Sequence, residues 1–305
     1  VSEIGFGAWA IGGNRYGNSY GPTDDEVSRE AIQRALELGC NFFDTADIYG
    51  HGHSEELLGE VIGNRPDVYI ATKVGGDFYH GGVKMNFDAD YIRFACDQSL
   101  KRLRREAIDL YQLHNPPIDY LQEGKVLDVL DSLLLKGKIK AYGISIHFAE
   151  EGLAGVRYPT LTSIQVAYNI FRQKEARALF QPAMEKGIAI IAREPLSNGL
   201  LTGKYSSPDT WKFFKGDIRG DMPAQYLRTL GEATEKLRFL EVPGQRTLAQ
   251  AALQFVLSSE AVPVTIPGCK TPAQVEENLS ASDSPPLSEE ELEKIQAVLF
   301  AFSDA

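Results

Sequence analysis

The stretch from Asn41 to Val74, NFFDTADIYGHGHSEELLGEVIGNRPDVYIATKV, reads as strand, loop, helix and strand. NFFDT (41–45) and VYIATKV (68–74) are short apolar runs rich in aromatic and β-branched residues, the composition of buried strands. Between them Ser54 precedes Glu55, Glu56 and Leu57, which predicts a helix start with acids in its first turn. The polar residues Asp44, Asp47, Tyr49, His51 and His53 fall at the end of the first strand and in the loop behind it.

The same alternation extends in both directions. Further strands are expected at 4–7 (IGFG), 109–114 (DLYQLH), 140–146 (KAYGISI), 163–168 (SIQVAY), 188–194 (IAIIARE) and 261–267 (AVPVTIP). Helical spacing of apolar residues marks 24–39, 88–106, 124–138, 174–187, 247–259 and 271–281. Eight continuously apolar strands separated by helices imply a parallel sheet covered by helices. Their number and the 305-residue length fit a (β/α)8 TIM barrel formed by one domain, residues 1–305. Residues 196–246 are too long for an ordinary βα loop and are expected to form an insert over the site after the seventh strand. A doubly wound dinucleotide-binding sheet is disfavoured, because no G-x-G-x-x-G follows a strand and opens a helix. GLLTGKY (199–205) misses the nucleotide-triphosphate loop by one residue of spacing and by Tyr205 in place of Ser or Thr.

Composition narrows the class of function. With 31 Lys+Arg against 42 Asp+Glu, the chain has a formal net charge of -11, which argues against nucleic acid or an anionic membrane as partner. Three dispersed cysteines, Cys40, Cys96 and Cys269, form no CxxC pair and read as reduced thiols, so a cytoplasmic location is expected. No apolar run is long enough to span a bilayer. The two histidines of HGH (51–53) lack a third ligand at suitable spacing, so no metal is expected and both are read as exposed residues before the helix cap. Asp47 is read as a solvated loop acid, His80 and His147 as structural or solvent-facing residues, and the basic run at 101–105 as a helix C-terminus complementing its dipole.

In a barrel, chemistry collects at the C-terminal ends of the strands. Asp44 ends the second strand, with Tyr49 in the loop after it; Lys73 ends the third and His114 the fourth. A phenol of ordinary pKa near ~10 is a poor acid at neutral pH. A neighbouring ammonium lowers that pKa, and a carboxylate holds the ammonium charged and aimed. Asp44, Lys73 and Tyr49 therefore make a tuned general acid for a carbonyl oxygen, with His114 as a second donor to it. The set contains no reductant, so electrons must come from a cofactor.

FDTADIYG (43–50), ATKV (71–74) and LYQLHNP (110–116), in this order, resemble the aldo-keto reductase superfamily, of the bacterial type. GFGAWAIGG (5–13), SLKRLRREAIDLYQLH (99–114), PLSNGLLTGKY (195–205) and IPGCKTPAQVEEN (266–278) extend the resemblance over essentially the whole chain. The resemblance implies a barrel that binds NAD(P)H in extended form and transfers hydride directly to an aldehyde or ketone. It implies a catalytic tetrad of Asp44, Tyr49, Lys73 and His114, with Tyr49 as proton donor. Ser145 and Gln165 stand where the family holds the nicotinamide carboxamide; Ile146 replaces the asparagine many members carry, with His147 as a substitute. Arg193 takes the place of a stacking aromatic. Pro195, Leu196, Gly199, Leu200, Gly203 and Lys204 match the loop around the pyrophosphate. Trp9, Asp44, Ile266 and Gly268 are further cofactor-facing positions. Lys270 is placed on a 2′-phosphate, Gln274 stands where many NADPH-selective members have arginine, and Glu277 and Asn278 match the adenine contacts. NADP(H) is therefore expected, with NAD(H) as the alternative.

The expected function is reduction of a small carbonyl substrate by NADPH. The loops 12–21, 75–82, 115–120 and 211–214 mix aromatic residues with Asn14 and Arg15. That mixture points to a sugar or other polyhydroxylated carbonyl, and so to sugar metabolism. Two other classes are a slow, NADPH-binding redox-sensing regulatory subunit and, less favoured, a Schiff-base aldolase or isomerase using Lys73.

Overall fold

In the computed structural model, which describes residues 1–17, 19–205 and 211–303, the strand and helix segments alternate as expected. The strands are β1 (Phe6–Gly7), β2 (Phe42–Asp44), β3 (Tyr69–Val74), β4 (Gly76–Asp77), β5 (Lys84–Met85), β6 (Leu110–His114), β7 (Tyr142–Ser145), β8 (Ser163–Ala167), β9 (Ala189–Arg193) and β10 (Val264–Ile266). Eight of them form one parallel sheet in the order β1-β2-β3-β6-β7-β8-β9-β10. The Gly5 and Gly7 amides donate to the Thr265 and Pro267 carbonyls at 2.8 and 2.9 Å, which joins the first strand to the last and closes a (β/α)8 barrel. Gly7 is required there, since a Cβ would lie 2.7 Å from the Ile266 carbonyl oxygen.

The helices are α1 (Asp25–Glu37), α2 (His53–Val61), α3 (Ala89–Leu103), α4 (Ile118–Glu123), α5 (Lys125–Leu135), α6 (Ala149–Gly155), α7 (Lys174–Lys186), α8 (Ala224–Lys236), α9 (Leu248–Leu257), α10 (Pro272–Leu279) and α11 (Glu289–Ser303). Local chemistry sets several starts. The Asp24 carboxylate accepts from the Glu26 and Val27 amides at the head of α1. Thr247 and Gln250 form a capping box on α9, and Thr271 caps α10 ahead of Pro272. The start of α2 differs from expectation. Gly52, in the left-handed region at φ 96°, takes the cap position, and Ser54 turns inward to donate to the Ala8 carbonyl at 2.8 Å.

Period-2 alternation along the strands separates two cores. Ile70, Tyr111, Leu113, Ile144 and Ile190 pack between sheet and helices. Phe42, Ala71, Leu110, Ile191, Val264 and Ile266 form a separate cluster inside the barrel. Two residues further along β2, β3 and β6 the same inward rows carry Asp44, Lys73 and Gln112. An apolar plug thus fills the barrel below a polar layer.

Two expectations are revised, those for residues 75–82 and for the basic run at 101–105. GGDFYHGG (75–82), read as a loop, contributes β4 and the turn of the β4–β5 hairpin. The 196–246 segment contains a 3-10 turn at Ser197–Thr202, another at Ile218–Asp221, and α8; its residues 206–210, like Asn18 in the 12–21 loop, lie outside the described residues. The basic run at the end of α3 is a solvated dipole complement only at the exposed Lys101 and Arg104. Arg102 pairs with the buried Glu55 at 2.6 Å, and Arg105 with Asp109 at 2.7 Å while donating to the Val68 carbonyl. No described helix is long and apolar enough to cross a membrane.

Candidate active site

β2 delivers Asp44 inward, and its partner strand β3 delivers Lys73 two residues beyond Ala71, the partner of Asp44 in register. The Lys73 ammonium donates to Asp44 Oδ1, to the Thr45 carbonyl at 2.8 Å and to the Tyr49 hydroxyl at 3.4 Å. Asp44 Oδ2 accepts from Gln112 at 3.2 Å and Gln165 at 2.7 Å. A fully buried ion pair is thus held by further hydrogen bonds, the condition for tolerating its desolvation. Burial works to lower the Lys73 pKa, but Asp44 and Tyr49 outweigh it and the ammonium titrates above its usual range. A lysine held charged in this way is a poor Schiff-base nucleophile, which disfavours the aldolase reading.

Tyr49 is positioned by the turn behind it. Gly50 has φ 63°, and a Cβ there would lie 2.2 Å from the Gly12 carbonyl oxygen, so the loops after β1 and β2 meet backbone to backbone. The ring packs against Trp9 and edge-on to His114, with centroid distances of 6.4 and 5.8 Å. Burial raises the Tyr49 pKa; Lys73 pulls against it without reversing the shift. The net direction is therefore opposite to the lowering expected from the ammonium alone, and Tyr49 holds its proton throughout the neutral range. The His114 pKa is driven well below 6.5 by burial, then by Lys73, Arg193 and His147. Its imidazole is neutral, suited to donate a hydrogen bond through one ring nitrogen.

All four residues bring their polar groups to the mouth of the barrel. A cleft of about 620 Å³ runs from there across the ends of β7–β10, lined by Asp44, Tyr49 and His114 together with most of the expected cofactor positions. Trp9, Ser145, Gln165, Arg193, Pro195, Leu196, Gly199, Lys204, Ile266, Gly268, Lys270, Gln274, Glu277 and Asn278 all line it. Leu200 and Gly203 do not. Leu200 is buried, and Gly203 caps the 3-10 turn at φ 73° with its carbonyl accepting from Arg238. Within the cleft Ser145 Oγ is buried with no hydrogen-bond partner, which a ligand amide would satisfy.

A family model, that of the Aldo/keto reductase family, matches residues 3–299. The chain belongs to the Aldo/keto reductase family. This aldo-keto reductase is 32% identical to the aldo-keto reductase yakc, named for NADP(+), of Schizosaccharomyces pombe, over 92% of this chain and 84% of the relative. It is 33% identical to the chloroplastic pyridoxal reductase of Arabidopsis thaliana, over 92% and 79% of the two chains. Among solved structures it superposes on the glycerol dehydrogenase AKR11B4 from Gluconobacter oxydans with a TM-score of 0.85 and 29% identity, covering 100% of this chain and 93% of that one.

Asp47, His51 and His53 of this aldo-keto reductase depart from their sequence reading, whereas His80 and His147 are exposed, in line with theirs. Asp47 is fully buried, with neither carboxylate oxygen hydrogen-bonded. Burial and the nearby Glu55 raise its pKa well above the usual carboxylate range. His51 stacks between Tyr16 and Phe78 at centroid distances of 3.8 and 4.7 Å, and His53 bonds Asp25 at 2.8 Å. His80 is tied to Asp77, and His147 lines the cleft beside Arg193. Among the described residues no group of three His, Cys, Asp or Glu could hold a metal.

Other functional positions were missed. Gln112 was legible, since alternation places it inward two residues before His114. Asn115, with φ 53° and a buried unpartnered Oδ1, had only its position next to His114 as a signal. Tyr20 belongs to the 12–21 loop named for substrate choice, whereas Arg219 had no signal. They join two loops across the cleft: the Tyr20 hydroxyl donates to Asn198 at 2.6 Å, and the Arg219 guanidinium lies 4.9 Å from the Tyr20 ring centroid. Arg219 is also paired with Asp217 at 2.6 Å.

Proposed function

We propose that this aldo-keto reductase uses NADP(H) to reduce an aldehyde or ketone to the alcohol, with Tyr49 as the general acid. The observation that carries this reading is the shared cleft: the unpartnered Ser145 hydroxyl lines the same space as Asp44, Tyr49 and His114, with Lys73 buried directly behind Asp44 and Tyr49. When bound, the reduced cofactor supplies hydride to the carbonyl carbon. Ser145 and Gln165 hold the carboxamide of its nicotinamide. Tyr49 gives its proton to the carbonyl oxygen as negative charge develops there; Lys73, 3.4 Å from that hydroxyl, stabilises the phenolate left behind. His114 donates to the same oxygen as a neutral imidazole and fixes the carbonyl's direction. Closing the site against water strengthens each of these interactions, and the proposed cover is the 196–246 insert, two described residues of which, Asn198 and Arg219, are tied to Tyr20.

Cofactor preference is proposed to favour NADPH, a reading supported by the NADP(+) in the name of the Schizosaccharomyces relative. The Lys270 ammonium donates to the Tyr20 carbonyl at 2.7 Å and sits in the cleft near Arg219. Gln274 is committed to the turn, its Oε1 accepting from the Lys270 amide at 2.7 Å. Replacing Lys270 with Ala is expected to narrow the NADPH-over-NADH affinity ratio by about tenfold, the scale of a charge-assisted hydrogen bond. Fluorescence titration of both cofactors measures this; equal affinities already in the wild type would remove the preference from the proposal.

For substrate we propose a polyhydroxylated carbonyl such as a sugar. Asn14 and Arg15 do not line the cleft, and the support comes from Asn115, whose unpartnered carboxamide oxygen stands beside His114 and can accept from a substrate hydroxyl. The glycerol dehydrogenase among the structural relatives is named for a polyol. Steady-state rates over a panel of hydroxy-aldehydes and aryl aldehydes test this, a uniform preference for aryl aldehydes being the contrary result. The pH dependence follows from the two shifts. His114, lowered, and Tyr49, raised, do not change charge between about pH 6 and 9, so kcat/KM for reduction is expected to be flat there. A fall on the acid side centred near the ordinary histidine value of ~6.5 would show that His114 titrates normally.

A further inference from the structure

We infer that Arg193 and Glu194, at the end of β9, set the relative affinity of the two redox forms of the cofactor, Arg193 disfavouring the oxidised, positively charged nicotinamide. The inference rests on the proposed function, in which the nicotinamide lies against Ser145 and Gln165. Arg193 is fixed beside that position. Its Nη2 donates to the carbonyl of Ile146, the residue following Ser145, at 3.0 Å, and to His147 Nδ1 at 3.2 Å. Its Nη1 pairs with Glu194.

Glu194 does not cancel the charge, because it is shared. Its other oxygen pairs with Arg172 at 3.1 Å, so one carboxylate serves two guanidinium groups and the cluster is net positive. The backbone is also committed: Glu194 has φ 56°, a conformation uncommon outside glycine, and its carbonyl accepts from Asn169 at 2.8 Å. Of the other charges near this part of the cleft, Lys73 is paired with Asp44, and Glu151, which does not line the cleft, is occupied by the His147 and Phe148 amides. His147 accepts from Arg193 and is therefore neutral, and His114 is neutral as well. Arg193 also contributes to the lowering of the His114 pKa, so its field reaches the reacting atoms.

The physical consequence has a definite sign. The oxidised nicotinamide ring carries one positive charge and the dihydro ring none. A fixed cation in a partly dry cleft therefore raises the free energy of the oxidised form alone. Oxidised cofactor is bound less tightly than reduced cofactor, and its departure after carbonyl reduction is accelerated. Release of this kind commonly limits turnover.

The test is titration of the full chain with NADP(+) and with NADPH, in the wild type and three variants. The wild type is expected to bind NADPH more tightly. Arg193→Met, which keeps the bulk and removes the charge, is expected to shrink the ratio of the two dissociation constants by about tenfold, equivalent to about 30 mV for a two-electron couple. Arg193→Lys, which keeps the charge, holds the ratio near the wild type, and Glu194→Gln widens it. A purely structural role for Arg193 would weaken both forms alike and leave the ratio unmoved. An unchanged ratio in Arg193→Met, or the same narrowed ratio in Arg193→Lys, overturns the inference while leaving the proposed function intact. Failure of either form to bind the wild type overturns the proposed function and this inference with it.

Discussion

Tyr49→Phe is expected to lower kcat for carbonyl reduction by about 10²–10⁴, with the affinity for NADPH essentially unchanged. The substitution removes one oxygen and keeps the ring. Packing against Trp9 and His114 is retained, as is the contact with the Lys73 ammonium, which lies 5.1 Å from the ring centroid. What is lost is the proton that must reach the carbonyl oxygen as it becomes an alkoxide. Neither neighbour supplies it readily. Lys73 is held as an ammonium by Asp44, and His114, being neutral, has only a weakly acidic N–H to offer. Single-turnover rates with saturating NADPH measure the chemical step directly. Activity surviving in Tyr49→Phe would place the acid elsewhere, with His114 as the next residue to change.

Lys73→Met is expected to have the largest effect on stability of any change in the site, about 3–5 kcal/mol, because it leaves Asp44 buried without its counter-charge. Only the amides of Gln112 and Gln165 then compensate the carboxylate. The double variant Lys73→Met, Asp44→Asn removes both charges and is expected to recover most of that loss, while carbonyl reduction stays lost because Tyr49 has no ammonium beside it. Urea midpoints for the two singles and the double form a cycle that isolates the coupling. Additive losses would show that the pair contributes little beyond packing. The sign of the pH dependence is set by the raised Lys73 pKa. The contribution of the pair is complete below the ordinary lysine value and is lost as pH climbs through the raised one. The stability difference between wild type and the double variant, which keeps neither charge, should therefore be constant across neutral pH and shrink only in strong alkali.

Much of this site was legible because it lies on strand ends, where period-2 alternation and parallel order translate residue number into place. Asp44, Lys73 and His114 each follow an inward apolar residue by an even step, so their convergence could be read from the pattern once the barrel was inferred. Tyr49 was reachable because its loop is short. The residues read wrongly share a different property. Asp47 looked like a loop acid, since polarity is the usual sign of exposure, yet the fold places it beneath α2 and α3 with Glu55 and Arg102. Arg102 and Arg105 looked like a solvated helix end, and both have buried partners that lie far away in sequence.

The sequence by itself determined the alternation of strand and helix, the parallel sheet, the family and the four residues at the barrel mouth. The fold and the strand-end residues follow from local periodicity and residue type, and the family from the resemblance of short motifs, all of which short stretches of chain carry in full. Only the tertiary structure decided the protonation states and the wiring. The raised Tyr49 pKa comes from burial that many segments jointly create. The Gly12–Gly50 contact, the Arg219–Tyr20 tie and the sharing of Glu194 between Arg193 and Arg172 depend on distances between loops. Desolvation and charge pairing are properties of the closed barrel, and no local pattern in the chain records them.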